Sequence, residues 1–464
     1  MSGGGTTGLT ADLSALLGAA AVRSGEALAL QDPGWHKDNL RAGVMVSPAN
    51  TAEVSRLLAW CHARHIGVVP HGGRTGLVGG AISHPGEVIV STSRLAHPLD
   101  IDAVSGVALV GAGVTLQALQ EAAAGKGLGP GIDTPSRGSA TIGGLISTNA
   151  GGIRAFRSGV MRQRVLGLEA VLADGTVVSD LTQVMKNVTG ADAKQLFIGS
   201  EGTLGFVTQA AIRLEPLVLP SATALIGLGG MEQALAIVAH FRRQSAFPLL
   251  AAEVMSGSFA VGSARANGLD PAALNLGAPI QLIIELGGED AAGARGVLEE
   301  GLASLWEAAG IVDGVVAENQ RQREAIWLIR EASDAMGRGY GLELWYDVSV
   351  PAGALDAYVA VIAQGIAVLD TTLETHFIGH LADGNLHVMV ARREAMLEPP
   401  HAAIEDALYG CLAAMGGAFS AEHGIGTEKR AALARFGDPG KLSALQRLKL
   451  AMDPHGILNP GKIL

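Results

Sequence analysis

Apolar residues along the chain recur in two ways, at helical spacing or as short alternating and continuous runs that read as strands. After a glycine-rich tail over residues 1–7, Leu9 to Ala27 has helical spacing. Ala52 to Arg64 is a clearer amphipathic helix, with Val54, Leu57, Leu58 and Cys61 on one side. A short strand through Val68 and Val69 then runs into a glycine loop. Glu87 to Ser91 and Val107 to Val110 are strand-like, Leu116 to Ala124 is helical, and Leu166 to Asp180 reads as a hairpin turning at Asp174-Gly175. Glu215 to Pro220 marks a boundary. Beyond it helices and strands alternate: Met231 to Phe241, Gln281 to Leu286, a helix near Arg323 to Gly337, strand Leu342 to Val350, a second hairpin, and helix Ala402 to Met415.

That second hairpin, Leu373 to Val390, carries the first chemistry. Its two apolar runs flank Asp383-Gly384, a pair suited to a two-residue type I′ turn because both positions need φ > 0. Such a turn sets His380 opposite His387, with Cβ atoms roughly 4.5–5.5 Å apart. That is close enough for both imidazoles to hold one divalent ion. Asn385, two residues before His387, projects on the same face. The plain alternative is a hairpin with two surface histidines. A second motif, S-A-E-H-G-I-G at Ser420 to Gly426, offers a carboxylate and another imidazole.

At 464 residues the chain is too long for one ordinary core, so two or three domains are expected. A net charge of −11 without a basic block argues against nucleic acid. Two cysteines, Cys61 and Cys411, exclude a disulfide scaffold and cysteine-rich zinc modules. The N-terminus lacks a basic n-region, so no signal peptide and no spanning helix are expected, and a reducing cytoplasm fits.

Glycine is the unusual residue, 64 of 464, about twice its average share. Its loops suit a large dinucleotide, because N–H groups unshielded by side chains hold a pyrophosphate. The G-x-G-x-x-G fingerprint fails from both Gly111 and Gly127, which disfavours a nicotinamide Rossmann domain. Gly456 to Ile463 resembles a Walker loop but lacks its Ser/Thr and has no helix after it.

Taken together, P-H-G-G-R-T-G-L-V-G-G-A, P-G-I-D-T-P-S-R-G-S-A-T-I-G-G, N-A-G-G, I-G-S-E-G-T-L-G, G-H-x-x-D-G-N-x-H, S-A-E-H-G-I-G and N-P-G-K resemble the FAD-linked D-2-hydroxy-acid dehydrogenases. These are flavoproteins of the vanillyl-alcohol-oxidase type, and the match covers nearly the whole chain in order. The resemblance implies an α+β fold: an FAD-binding domain over 1–216, a substrate cap over 217–418 and a C-terminal segment, 419–464, that completes the flavin domain.

It also implies the FAD site. One loop supplies Pro70, His71, Gly72, Gly73, Arg74, Thr75, Gly76, Gly79 and Gly80, and a second supplies Pro130, Gly131, Asp133, Thr134, Gly138, Ser139, Ala140, Thr141, Gly143 and Gly144. Asn149, Gly152, Glu201, Gly202, Gly205 and Val207 finish it, with Asn459 and Lys462 returning from the C-terminus. His71 stands where many relatives have Arg, and dissociable, non-covalent FAD is expected.

By resemblance His380, His387 and Glu422 are metal ligands, suiting Zn²⁺ with open positions, with Mn²⁺ or Fe²⁺ also compatible. His423 is then the general base, Arg330 clamps the substrate carboxylate, and Asn385 lies at the catalytic centre. Two residues depart from the hydroxyglutarate enzymes: Asp334 replaces Thr and Trp345 replaces Lys. Losing a cation while gaining an anion and an indole suggests a substrate smaller or more apolar than 2-hydroxyglutarate. The expected reaction is FAD-dependent oxidation of a D-2-hydroxy acid (D-2-hydroxyglutarate, D-lactate or D-malate class), with electrons passed to an electron-transfer flavoprotein, a quinone, a cytochrome or oxygen. A homodimer is left open. The competing readings are a glycolate-oxidase-like FAD subunit of a complex, a metal-dependent hydrolase and a non-catalytic flavin-binding scaffold.

Overall fold

Local signals set the first elements. Asn50 caps the helix Thr51–His62 by accepting from the Glu53 N–H at 2.9 Å, while the Glu53 carboxylate accepts from the Ala49 N–H. Val54, Leu57, Leu58 and Cys61 then share one face and are fully buried. Thr115 caps Leu116–Ala124 in the same manner. This computed structural model describes residues 3–396 and 399–464, leaving aside the side chains of residues 3–7, Ser333 and Asp334.

The helix expected over Leu9 to Ala27 is broken into separate elements. Helix Gly3–Leu17 is followed by Gly18, whose φ of 87° ends it, then by strand Val22–Ser24 and a short helix Gly25–Ala29. Val22–Ser24 pairs with Val44–Val46, a long-range contact that local periodicity does not report. The tail expected over 1–7 is helical backbone from Gly3 onward, and residues 1–2 lie outside the described residues.

The chain forms two compact units, one of residues 1–217 with 422–464 and one of residues 218–421. The first holds a four-stranded sheet, in the order Val22–Ser24, Val44–Val46, Val88–Ser91, Val68–His71, and a five-stranded antiparallel sheet. The expected Asp174-Gly175 hairpin is the edge of the latter, Val165–Val171 pairing with Val177–Asp180.

The second unit is built on seven antiparallel strands, in the order Asp313–Val316, Pro220–Leu228, Ile280–Gly287, Leu249–Ser256, Glu374–His380, Asn385–Arg392, Leu342–Ser349. Among the described residues, 352–369 form the one stretch long and apolar enough to cross a membrane. Leu355, Tyr358, Ile362 and Ile366 of its helix are buried.

The register of the hairpin differs from the expected one. His380 pairs with Asn385, and His387 with Ile378, across the four residues 381–384. A type I′ turn needs two left-handed residues, and here only Gly384 is one, with φ of 80°. Leu381 is instead drawn into the core, fully buried, with its N–H on the Ala252 carbonyl at 2.9 Å. Directly opposed residues share a face, as do residues two apart, so His380, Asn385 and His387 still project together.

A Cβ at Gly384 would come within 1.9 Å of the Val350 carbonyl oxygen. Gly384→Ala is therefore expected to destabilise the protein by more than the roughly 1–2 kcal/mol that left-handed backbone alone costs a non-glycine residue. Urea denaturation checks this, and an unchanged midpoint would contradict the register described.

Candidate active site

Cross-strand pairing in the second unit lines acids and histidines along one sheet face. Glu253 lies opposite His380, His380 opposite Asn385, and His387 opposite Asp347. The row thus runs across four neighbouring strands. Glu253, Asp347, His380 and Asn385 are all buried.

Each histidine has a buried acid beside it. The Glu253 carboxylate accepts from His380 Nδ1 at 2.7 Å, and His387 Nδ1 lies 3.7 Å from Asp347 Oδ1. An ionised carboxylate only accepts, so the proton on His380 sits on Nδ1 and its Nε2 carries the lone pair. A ring nitrogen of His380 and one of His387 lie within 4.8 Å of each other, with the rings edge to face. His380 is thus held as metal-binding histidines are, with one nitrogen on a carboxylate and the other directed away from it. Asn385 Nδ2 donates to Asp347 and to the Val348 carbonyl, while its buried Oδ1 has no partner among the described residues.

The helix Gln320–Glu331 brings cations to this row. Asn319 caps it, and Arg323, Trp327 and Arg330 follow at helical spacing on one face. Arg323 and Trp327 both donate to Glu285, and Arg330 Nε donates to the second oxygen of Glu253 at 2.8 Å. Burial opposes the charge on Glu253, but its interactions with His380 and Arg330 hold its carboxyl below the usual range.

Further along the face stands Trp345, two residues before Asp347 and opposite Met389. Its indole meets the edge of Phe259 at 6.3 Å, and its Nε1 donates to the Glu343 carboxylate. The other departure, Asp334, has its side chain outside what is described. From the last strand, Ser349 pairs with Ala418, and the Ala421 N–H donates to Asp347 at 3.0 Å. Glu422 and His423 follow directly in the chain.

In the first unit the glycine loops lock onto one another. A Cβ at Gly73 would lie 2.0 Å from the Ser139 carbonyl oxygen, and one at Gly152 would lie 1.9 Å from that of Asp133. Thr141 caps the turn of helix Ile142–Thr148, and Asn149 ends it in the left-handed conformation, its Oδ1 accepting from Arg162 N–H. Glu201 binds the Ile425 and Gly426 N–H groups, at 2.7 and 2.8 Å, and Glu422 accepts from the Gly152 N–H at 3.0 Å. The tail is fixed too: Asn459 donates to the Gly80 and Glu201 carbonyls, and buried Lys462 donates to Ile82 and Pro460.

One part of these loops is left unpaired. The backbone N–H groups of Gly73, Arg74, Thr75 and Gly76 find no acceptor among the described residues, nor does the buried Nε of Arg74. Arg74 has φ of 56°, which turns successive N–H groups inward as an anion-binding nest. A Cβ at Gly76 would meet nothing within 4 Å. Donors, a guanidinium and open space together suit a pyrophosphate.

Comparison with known proteins agrees. Residues 42–180 match the FAD binding domain family, and residues 220–463 match the C-terminal domain of the FAD linked oxidases. The chain is 37% identical over 434 residues to D-2-hydroxyglutarate dehydrogenase, mitochondrial, of Bos taurus, covering 91% of this chain and 76% of that protein. It is 34% identical over 424 residues to D-2-hydroxyglutarate dehydrogenase of Xanthomonas citri pv. viticola, covering 90% and 88%. The chain belongs to the FAD-linked D-2-hydroxy-acid dehydrogenase family. Two solved structures resemble this dehydrogenase in fold. They are 4-ethylphenol oxidase from Gulosibacter chungangensis (TM-score 0.72, 18% identity, 100% of this chain and 98% of that one) and p-cresol methylhydroxylase (0.71, 17%, 99% and 97%). They place the fold among vanillyl-alcohol-oxidase type flavoproteins, with mixed α+β content. The dehydrogenase is an FAD-dependent oxidoreductase, and the hydrolase reading falls away.

Sequence reasoning passed over Glu253 as a site residue and used Asp347 only as a landmark. A signal existed: Glu253 interrupts the apolar strand L-L-A-A-E-V-M-S, and a glutamate is almost never fully buried unless paired.

His71 gives a pH prediction for the dehydrogenase. Its Nε2 donates to the Ala81 carbonyl at 2.8 Å, and burial, with Arg74 and Lys462 nearby, pushes its pKa down to about 3. The unfolded chain takes up a proton below about pH 6.5 that the folded one refuses. Stability should therefore fall as pH drops from about 6.5 toward 3, by roughly 1.4 kcal/mol per unit from this residue. His71→Gln should flatten the pH dependence of the urea midpoint by that slope, and an identical slope would show that His71 is not held neutral.

Proposed function

We propose that the protein oxidises a D-2-hydroxy acid to the 2-oxo acid, using FAD and a divalent cation, Zn²⁺, on His380, His387 and Glu422. The observation that carries this reading is the pair of histidines on one sheet face, His380 held through Nδ1 by buried Glu253 and His387 with its Nδ1 3.7 Å from buried Asp347. Bound FAD contributes hydride acceptance at N5, and a divalent cation contributes Lewis-acid polarisation of a hydroxyl.

The remaining work belongs to side chains of this chain. Arg330 spends one of its five N–H donors on Glu253, which leaves others to grip a carboxylate in a bidentate fashion. His423 takes the hydroxyl proton as general base. Glu422 and His423 are assigned to the same centre by the S-A-E-H-G-I-G motif that carries them. The free acceptor on Asn385 suits a donor on the substrate. The loops 70–80 and 130–144, with Asn149, Gly152, Glu201 to Val207, Asn459 and Lys462, are assigned to non-covalent FAD.

The substrate's far end is read from the same face. Relatives at 34–37% identity are named D-2-hydroxyglutarate dehydrogenases. Here the residues beyond Asp347 are Trp345, Met389 and the Glu343 carboxylate. An indole and an acid suit a small or apolar tail better than a second carboxylate.

His423→Asn should keep the visible flavin absorption and lower kcat by about 10²–10⁴-fold, the usual range for a lost general base; full activity would remove His423 from the chemistry. Comparing kcat/KM for D-lactate, D-malate and D-2-hydroxyglutarate tests the tail. The monoanion should lead, and a clear advantage for the two dianions would overturn the substrate assignment.

A further inference from the structure

Glu253 uses its two oxygens for two different tasks. One accepts from His380 Nδ1 at 2.7 Å and the other from Arg330 Nε at 2.8 Å. The side chain is 1% exposed, so no solvent competes for either oxygen. With one donor on each side, the carboxylate cannot turn without breaking a charge-assisted bond.

Neither partner is free to follow it. His380 is fixed by its strand register opposite Glu253, and Arg330 rides on a helix whose Arg323 and Trp327 are anchored to Glu285. We propose that Glu253 is a positioning residue that ties the carboxylate-binding arginine to the metal-binding histidine, so that affinity for the metal and affinity for the substrate carboxylate depend on one buried acid. This rests on the roles given above to Arg330 and His380.

An amide in place of the acid separates the two tasks. Its oxygen can still accept from one donor, but its NH₂ then faces the other donor, and either the imidazole or the guanidinium must turn away. Removing Arg330 has the complementary effect, because the carboxylate loses the partner that fixes its plane. Metal binding should then respond to Arg330 even with no substrate present. A simple substrate clamp would not behave in this way.

The experiment measures Zn²⁺ affinity of the FAD-loaded full chain by competition with a chromophoric chelator, without substrate. It compares wild type, His387→Ala, Glu253→Gln, Arg330→Gln and Glu285→Gln, with flavin content and circular dichroism as controls for folding. Glu253→Gln should weaken Zn²⁺ binding 10–100-fold, the range for lost partners of metal ligands, and its KM should rise as well. Arg330→Gln should weaken Zn²⁺ binding by about tenfold, toward the low end of that range. Glu285→Gln, a buried acid on Arg323, Trp327 and Thr223 that reaches Glu253 only through the helix, should weaken it less than Arg330→Gln does. If His387→Ala abolishes binding while Glu253→Gln and Arg330→Gln bind as wild type, the coupling is wrong and the metal site stands. Equal weakening in Glu253→Gln and Glu285→Gln would mean general loosening of the sheet and would also overturn it. If wild type and His387→Ala bind Zn²⁺ alike, the metal site and the coupling fall together. Should Glu253→Gln fail to fold, Arg330→Gln decides alone.

Discussion

A carboxylate without access to water is tolerated only where opposite charge and hydrogen bonds replace its hydration, and Glu253 is held under that constraint. Taking an ion from water into a protein costs several kcal/mol even after relaxation, and removing one member of a buried pair typically costs about 3–5 kcal/mol. Glu253, His380 and Arg330 must therefore arrive together when the second unit folds. Strand alternation makes this strict. Slipping the Leu249–Ser256 strand by one residue would turn Glu253 to the opposite face and bring an alanine or valine round in its place. The same pairing that avoids an unpaired charge also sets Asp347, His387 and Asn385 in line.

The glycine loops of the first unit obey a different constraint, which is backbone against backbone. At Gly73 and Gly152 a side chain would strike a carbonyl of a neighbouring loop, so these glycines hold loops together. Gly76 is of another kind, with open space where a Cβ would stand. The unpaired donors from Gly73 to Gly76 sit at the end of the strand Val68–His71, where the ladder stops and the chain turns with Arg74 left-handed. Loop packing supplies the rigidity, and the short unpaired stretch leaves donors of the kind that suit an anion.

Much of this was legible in the sequence because it is local. Capped amphipathic helices such as Thr51–His62 and Leu116–Ala124 report themselves through spacing and one capping residue. The ordered motifs carried the family. What was not legible depends on distant partners. Strand Val22–Ser24 exists because Val44–Val46 lies beside it. The turn at Asp383-Gly384 has the expected residues, but burial of Leu381 decides its length and with it the pairing of His380. Nor does spacing show that Arg330 would already hold Glu253, which stands 77 positions earlier in the chain.

Fold and chemistry separate here. The scaffold is shared with 4-ethylphenol oxidase and p-cresol methylhydroxylase at 17–18% identity, a level at which the likeness speaks for the fold alone. Whatever selects a substrate must lie in side chains that this scaffold presents, and the face carrying His380 and His387 is the richest in them. Along the last strand, positions 343, 345 and 347 project on that one face as acid, indole and acid. Asp347 already accepts from the Asn385 side chain and the Ala421 N–H. Trp345 and Glu343 satisfy each other, the indole donor on the carboxylate. A ligand group arriving there meets an aromatic surface backed by a negative charge. A second carboxylate would have to lose its water against that charge, whereas a methyl or other apolar tail loses only its contact with water. On the proposed reading, the strand that carries Asp347 beside His387 also faces the far end of the substrate.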